Sequence, residues 1–287
     1  MPRETVNFIC SSWFEWKPNN SLNNLPGAMF KILNENKTSG EITLLFKLSK
    51  NSLYKKSILS KFNEEIYVLD GSLKFSGTVL KKDFYTYLPI GYKKKLFSSS
   101  RGSIGIIFLN KRLVSQKKIN KFYPNFDHKS WIPRINAYEN IWPSASDHLK
   151  STDINNLGAR VKILREDKSN NSTTFLLGFP PLWSLPETVN LGGDIEIFLI
   201  YGNVNSSRGL MNPGSYLSIP KGKVLSHMYS KEASVFLIKS HRSIDLNIRK
   251  SNINFNYKDI IKTNNSIIPK KILKNIKFGP YSRFDNV

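Results

Sequence analysis

Few side chains in this sequence have the type and spacing needed for chemistry. Of the four histidines, only His227 falls within a predicted strand, so it is the candidate acid or base of the second half of the chain. Tyr216 and Trp183 are the predicted walls of a pocket around it. The alternative interpretation of His227 is a hydrogen-bonded structural histidine. No Ser-His-Asp order, Gly-rich phosphate loop or paired-carboxylate spacing is present.

The first half of the chain offers Tyr85 and Tyr87 as pocket-lining aromatics rather than as catalysts. The single cysteine, Cys10, excludes both an intramolecular disulfide and a cysteine-based zinc site. We interpret it as a small, half-buried apolar side chain.

The formal net charge of +22 and the pI of 9.9 raise the question of nucleic-acid binding. Lysine clusters lie at 93–95, 117–121 and 270–277, and such clusters bind phosphates by releasing counterions. However, no recognised nucleic-acid motif accompanies them. Lys, Asn and Ile are abundant together, as an A/T-biased coding sequence would produce. We therefore expect neither a nucleic acid nor an anionic surface as a partner.

The overall composition indicates a folded protein. A hydrophobic content of 40% and an aromatic content of 12% exclude a wholly disordered chain. The first residues do not resemble a signal peptide, and no apolar run approaches the roughly 18 residues of a membrane span. These features predict a soluble, cytoplasmic protein without a membrane span.

The two halves of the chain are similar at a constant offset of 131 residues, ungapped from Gly27 to Gly91. EEIYVLDG in the first half aligns with IEIFLIYG in the second, and FYTYLPIG aligns with SYLSIPKG. Glu65, Tyr85 and Pro89 thus align with Glu196, Tyr216 and Pro220. A match of this length, with glycines and prolines in register, indicates that one unit has been duplicated.

Each copy consists of short β-branched and aromatic segments separated by Gly and Pro turns, which predicts an all-β fold of two jelly-roll barrels in tandem. The aromatic connector between them is too apolar for a free linker, and one helix is predicted in the basic C-terminal tail, around 267–276. The predicted boundaries are 13–112 for the first barrel, 113–149 for the connector, 150–243 for the second barrel and 244–287 for the tail.

At these residues the sequence resembles the cupin superfamily, and in particular the ChrR-like bicupins, from about residue 13 to 243. The family's first motif is Gly, five residues, His-x-His, three or four residues, Glu, six residues, Gly. Its second motif is Gly, five residues, Pro-x-Gly, two residues, His. The three histidines and the glutamate of the family bind Fe, Mn, Ni or Zn.

In the first barrel the resemblance places Glu64 at the glutamate position and Lys94 at the last histidine position. The His-x-His positions fall on Ser57 and Leu59, or with the shorter spacing on Ile58 and Ser60. We therefore predict that the Lys94 ammonium forms an ion pair with Glu64 and substitutes for the charge of the metal; the alternative is a solvent-exposed Lys94. Asp83, Pro89 and Gly91 match the second motif, with Asp83 at its first glycine.

In the second barrel Gly214, Pro220 and Gly222 match the second motif, but none of the four ligands remains. Ile195 replaces the glutamate and Leu225 the last histidine, which predicts a closed, apolar interior. The His-x-His positions fall on Thr188 and Asn190, or on Val189 and Leu191.

The resemblance thus implies a bicupin without a bound metal or other cofactor, acting as a small-ligand-binding or interaction scaffold. The alternative is a cupin-type enzyme that acts on a small organic substrate, either a metal-dependent dioxygenase or a metal-independent isomerase or lyase. Its catalytic candidates would be Glu64, Lys94 and His227. A homodimer is left open.

Overall fold

The computed structural model describes residues 5–18, 25–36, 39–110, 126–145, 158–191, 193–241 and 246–249. Within these ranges the chain consists of β-strands, turns and one short 3-10 helix, Ser11–Trp13. None of the described elements is a helix long and apolar enough to cross a membrane. The predicted all-β class is confirmed, and the helix predicted around 267–276 lies outside the described residues.

The chain divides into two compact units. Unit one takes Glu15–Asn140 and contains barrel one, and unit two takes Pro2–Phe14 with the chain from Ile141 onwards and contains barrel two. The division at residues 140 and 141 falls within the predicted connector.

The strands as far as the connector are β1 (Val6–Cys10), β2 (Lys17–Pro18), β3 (Met29–Glu35), β4 (Ile42–Leu48), β5 (Ser52–Tyr54), β6 (Ile58–Leu59), β7 (Asn63–Phe75), β8 (Thr78–Lys81), β9 (Phe84–Leu88), β10 (Lys93–Lys94), β11 (Phe97–Ser99), β12 (Ser103–Asn110) and β13 (Ile132–Asn136). The remaining strands are β14 (Arg160–Asp167), β15 (Ser172–Phe179), β16 (Ser184–Leu191), β17 (Ile195–Tyr201), β18 (Val204–Ser206), β19 (Gly209–Met211), β20 (Ser215–Ile219), β21 (Val224–Tyr229), β22 (Ser234–Ser240) and β23 (Leu246–Arg249).

Barrel one is organised around the long strand β7. Its first half lies between β9 and β12 in the order β13-β9-β7-β12-β4-β3-β2, and its second half pairs with β8 and β11. The short strands β6 and β10 form a separate antiparallel ribbon. Apolar side chains from these elements, such as Phe46, Ile66, Phe75 and Phe97, form one buried cluster, the barrel one core.

A glycine makes the bend in β7 possible, and the same glycine recurs in barrel two. Gly71 has a φ of +72°, and a Cβ added there would lie 2.1 Å from the carbonyl oxygen of Gly102. Gly202 has a φ of +82°, and its Cβ would lie 2.3 Å from the carbonyl oxygen of Ala233. Only glycine fits a left-handed backbone at such a close approach. The aligned glycines of the two halves therefore have one structural cause.

Barrel two repeats this plan in two sheets. One sheet has the order β1-β20-β17-β22-β15-β14 and the other the order β19-β18-β21-β16-β23. Phe175, Trp183, Ile197 and Leu217 belong to its buried apolar cluster, the barrel two core. The prediction of two tandem jelly-roll barrels is confirmed.

The connector contributes to both units. Strand β13 of the connector pairs antiparallel with β9 at the edge of the barrel one sheet. Outside the connector, β1 pairs in the same way with β20 at the edge of a barrel two sheet. Phe126 and Trp131 pack against the barrel one core, whereas the Trp142 ring lies against Gly178 of β15. The connector is therefore folded at these positions. Of its further aromatic residues, Tyr138 is exposed, and Phe122 and Tyr123 lie outside the described residues.

Candidate functional site

Glu64 lies on the inner face of barrel one. Successive side chains of a strand point to opposite faces, and Ile66 and Val68, two and four residues further on, belong to the barrel one core. The exposed fraction of Glu64 is 0%. Of the two adjacent glutamates, Glu64 therefore faces the interior and Glu65 the opposite face of the sheet.

Lys94 forms a salt bridge with Glu64 inside the barrel. Its Nζ donates to both carboxylate oxygens, at 2.8 Å from Oε2 and 3.0 Å from Oε1. Both side chains are completely buried. A buried carboxylate is costly without a compensating charge, and the ammonium supplies that charge. The ion pair predicted from the sequence is therefore present.

Ser60 adds a third polar group to this interior. In the β6–β10 ribbon Lys94 is the direct partner of Ile58, and the backbone N–H of Ser60 donates to the carbonyl oxygen of Tyr92. Ile58, Ser60 and Lys94 therefore lie on one face of the ribbon. Ser60 is fully buried, and its Oγ has no hydrogen-bond partner among the described residues. The shorter of the two predicted His-x-His spacings, which falls on Ile58 and Ser60, therefore corresponds to the residues on the inner face.

Barrel two has an apolar side chain at the position that corresponds to Glu64. Ile195 is buried in the barrel two core together with Trp183, whose ring stacks on Phe179 with centroids 3.8 Å apart. The side chains of Leu225 and His227 in β21 lie outside the described residues. Where it is described, the interior of barrel two is filled by apolar side chains.

The outer face of the barrel one sheet carries a buried carboxylate that sequence reasoning missed. Tyr85 Oη donates to Glu65 Oε2 at 2.8 Å, and Asn110 Nδ2 donates to Glu65 Oε1 at 3.1 Å. Glu65 is fully buried. Because the three residues lie on β7, β9 and β12, this cluster fastens three neighbouring strands together.

Barrel two repeats this cluster with one change. Tyr216 Oη donates to Glu196 Oε2, and His241 Nε2 lies 2.7 Å from Glu196 Oε1. Since a carboxylate only accepts, Nε2 is the protonated nitrogen of His241. Asn110 and His241 are separated by the same 131 residues as the other repeat pairs, so extending the repeat past Gly91 would have found this cluster.

The predicted pocket residues therefore lie on different faces of the sheets. Tyr85 and Tyr87 are buried but do not belong to the barrel one core, because they lie on the face of Glu65. Tyr216 lies on the face of Glu196, whereas Trp183 lies in the barrel two core. The structure does not bring Trp183 and Tyr216 together as walls of one pocket.

Of the two histidines in the predicted connector, the structure describes only His128. His128 is exposed, with its ring centroid 3.9 Å from that of Phe126, and His148 lies outside the described residues. Among the described residues there is no group of three or more His, Cys, Asp or Glu side chains that could hold a metal ion.

Neither a model of a protein family nor a curated protein matches this sequence. Solved structures do match its fold. A candidate dioxygenase from Nostoc punctiforme superposes with a TM-score of 0.71 at 16% identity, over 88% of this chain and 89% of that chain.

Two further solved structures are similar to this chain in fold. A cupin 2 conserved barrel domain protein from Leptotrichia buccalis gives a TM-score of 0.51 at 11% identity, over 83% of this chain and 98% of its own. A variant of oxalate decarboxylase from Bacillus subtilis gives a TM-score of 0.53 at 12% identity, over 85% of this chain and 80% of its own. This chain has the cupin fold. At these identities the likeness establishes the fold alone.

The residues at the cupin metal-ligand positions do not fit a transition metal. In barrel one they are a carboxylate, an ammonium, a hydroxyl and the aliphatic Ile58. A transition-metal site needs about three protein ligands, and Glu64 supplies the only anionic donor here. The Lys94 ammonium already contacts both oxygens of that carboxylate, so a metal cation there would meet a like charge.

The cupin motif also explains the backbone at Asp83. Asp83 stands at the first glycine of the second motif and has a φ of +65°, while Gly214 at the corresponding position has a φ of +93°. Asp tolerates this left-handed region better than most residues. Its Oδ1 accepts a hydrogen bond from Tyr67 Oη at 3.2 Å. Burial, followed by the charge of Asp83, raises the pKa of Tyr67 well above its usual value.

Proposed function

We propose that this protein is a ChrR-like bicupin that has lost its metal site and binds a small organic ligand inside barrel one. The observation that supports this proposal is the completely buried ion pair between Glu64 and Lys94. It replaces metal coordination with a protein cation, and it leaves the interior close to neutral. The proposal assigns no cofactor to the protein.

The chemistry of the interior indicates the kind of ligand. Ser60, Glu64 and Lys94 are completely buried, and the side chains that share the face of Glu64 in β7, Ile66 and Val68, belong to the apolar barrel one core. The buried Ser60 hydroxyl has no partner among the described residues, and leaving such a group unsatisfied costs about 1–3 kcal/mol. A small uncharged molecule with one hydrogen-bonding group would satisfy it and would occupy the apolar surroundings.

The first test is metal content. We expect elemental mass spectrometry of protein purified without a histidine tag to find far less than one equivalent of metal. Incubation with Fe(II), Mn, Ni or Zn should not change this result, because the donor set lacks two of the three ligands that such ions need. Stoichiometric metal in folded protein would contradict the proposal.

The second test uses Ser60. We expect the S60A variant to be more stable than the wild type by about 1 kcal/mol without ligand, since it removes an unsatisfied buried hydroxyl. Ligands found by thermal-shift screening of small alcohols, amides and ketones should stabilise the wild type and not S60A. S99A is a suitable control, because the Ser99 hydroxyl already donates to the Ser72 carbonyl at 2.7 Å. If S60A were destabilised as much as S99A, Ser60 would be structural.

An enzymatic function is the second candidate. It is favoured by the fold neighbours, which include a candidate dioxygenase and an oxalate decarboxylase. Such an activity would use Glu64 and Lys94 as an acid–base pair, or His227. Turnover that disappears in E64Q and K94M, while circular dichroism shows both variants to be folded, but survives in H227N would identify barrel one as the active site.

A further inference from the structure

Three separate segments of unit one combine into one basic surface. Residues 50–61, 71–82 and 90–102 contain no aspartate or glutamate. They form β5, β6, β8, β10, β11 and the second half of β7. Their exposed cationic residues are Lys50, Lys55, Lys56, Lys74, Lys81, Lys82, Lys93, Lys95 and Arg101. We call this surface the basic sheet.

The outward face of the basic sheet is continuous across four strands. In the order β5, β11, β7, β8, the residues Leu53, Ser98, Lys74 and Val79 lie directly side by side. The opposite face, which includes Phe75 and Phe97, is buried in the barrel one core. The sheet therefore presents lysines and serine hydroxyls to solvent from a rigid support.

Further lysines extend this face at one end. Lys55 and Lys56 directly follow β5. Lys93 and Lys95 are held next to the turn at Ser76, whose Oγ donates to the Lys93 carbonyl and whose N–H donates to the Lys95 carbonyl.

Lys50 and Arg101 lie at the opposite end, where Asn51 and Ser100 are joined by a backbone hydrogen bond. Within the described ranges, none of the exposed cations of the basic sheet forms a salt bridge. Asp70, at the border of the sheet, is the nearest exposed acid in the strand β7.

The sequence of barrel two has no equivalent concentration of basic residues. At the offset of 131 residues, the aligned segments 181–192, 202–213 and 221–233 contain four Lys or Arg residues and two glutamates, whereas the segments of the basic sheet contain eleven Lys or Arg residues and no acid. The two barrels come from one duplicated unit, so a compositional bias of the whole chain would affect both alike. The excess of basic residues in the basic sheet therefore needs its own explanation.

We propose that the basic sheet binds the phosphate backbone of duplex nucleic acid without reading its sequence. Lysines bind phosphates by releasing counterions, and serine hydroxyls and backbone N–H groups commonly add hydrogen bonds to phosphate oxygens. Composition alone did not favour this partner, because lysines scattered along a sequence identify no surface. The fold gathers them on one face.

The same face favours a duplex over other anionic partners. Single strands bind by stacking their bases on aromatic rings, and the described outward face exposes no aromatic ring. A membrane-binding surface would present a band of aromatic and apolar residues, whereas here only Leu53 and Leu96 are exposed hydrophobic side chains. A four-stranded sheet is about 15 Å wide. A length of about 15 Å along the axis of B-DNA carries roughly nine phosphate charges.

The experiment measures binding of a fluorescent DNA duplex of about 20 base pairs by anisotropy between about 50 and 200 mM salt. Three proteins are compared: wild type, the variant K55Q/K56Q/K74Q/K81Q of the basic sheet, and the matched control K168Q/K221Q/K223Q/K231Q of barrel two. Both variants lose four exposed lysines. Their net charges are therefore equal.

We expect the wild type to lose at least tenfold in affinity across this salt range. In the basic-sheet variant, the slope of log affinity against log salt should become shallower by up to about 3.6, which corresponds to four lost phosphate contacts. The control should retain the wild-type slope.

Three results would overturn the proposal. Equal losses in the two variants would mean that net charge alone drives binding. Binding to vesicles containing phosphatidylserine, without binding to the duplex, would identify a lipid surface instead. No binding to the duplex at about 50 mM salt would leave the basic sheet without this function.

Discussion

Replacement of Lys94 by methionine is expected to lower the free energy of unfolding by about 3–5 kcal/mol, because it leaves the Glu64 carboxylate buried without its cation. The two side chains are 0% exposed and their charged atoms lie 2.8 Å apart. Water cannot reach the carboxylate to replace the ammonium. Urea denaturation of K94M at neutral pH measures the loss.

Two controls separate this charge effect from packing. K93M changes the exposed neighbouring lysine and should alter the stability by no more than about 0.5 kcal/mol. The double variant E64L/K94M removes both charges and should recover most of the loss, since apolar replacement of a buried pair is often neutral. If K94M were no less stable than K93M, the ion pair would not be the element that compensates Glu64.

The second large effect is the introduction of metal binding into barrel one. We expect the variant I58H/S60H/K94H to bind about one equivalent of Zn or Ni, because the three histidines would join Glu64 in a complete set of four ligands. Ile58, Ser60 and Lys94 already share one face of the β6–β10 ribbon. Isothermal titration calorimetry and elemental mass spectrometry measure the stoichiometry.

The matched control is I58H/S60H, which keeps Lys94. Its ammonium remains in contact with the carboxylate, so this variant should stay free of metal despite its two added histidines. A folded triple variant that binds no metal would show that these positions do not converge on one point. In that case the ion pair would not occupy the position of a cupin metal ion.

Much of the fold could be predicted because the duplication repeats the residues that determine it. Gly71 and Gly202 recur since each stands where a side chain would collide with a carbonyl oxygen. Asp83 and Gly214 occupy equivalent positions in the two halves, because the turn there needs a left-handed backbone. The ion pair could be predicted for a similar reason: Glu64 and Lys94 stand at positions that face one another in the family motif.

The outer-face clusters could not be predicted as easily, because the choice between adjacent residues of a strand depends on which face is enclosed. Glu64 and Glu65 are neighbours with the same side chain, yet one faces the barrel interior and the other bonds to Tyr85. His241 directly follows β22, and its bond to Glu196 joins residues 45 positions apart.

The sequence by itself determined the duplication, the all-β jelly-roll class and the absence of histidine from the positions of the cupin motif, because these depend on residue types at fixed spacings. The tertiary structure decided that the neighbouring Glu65 became the buried partner of Tyr85 and Asn110. It also decided which lysines share a surface. Both depend on strand pairing between distant segments, which sets the direction of each side chain and cannot be read from local spacing.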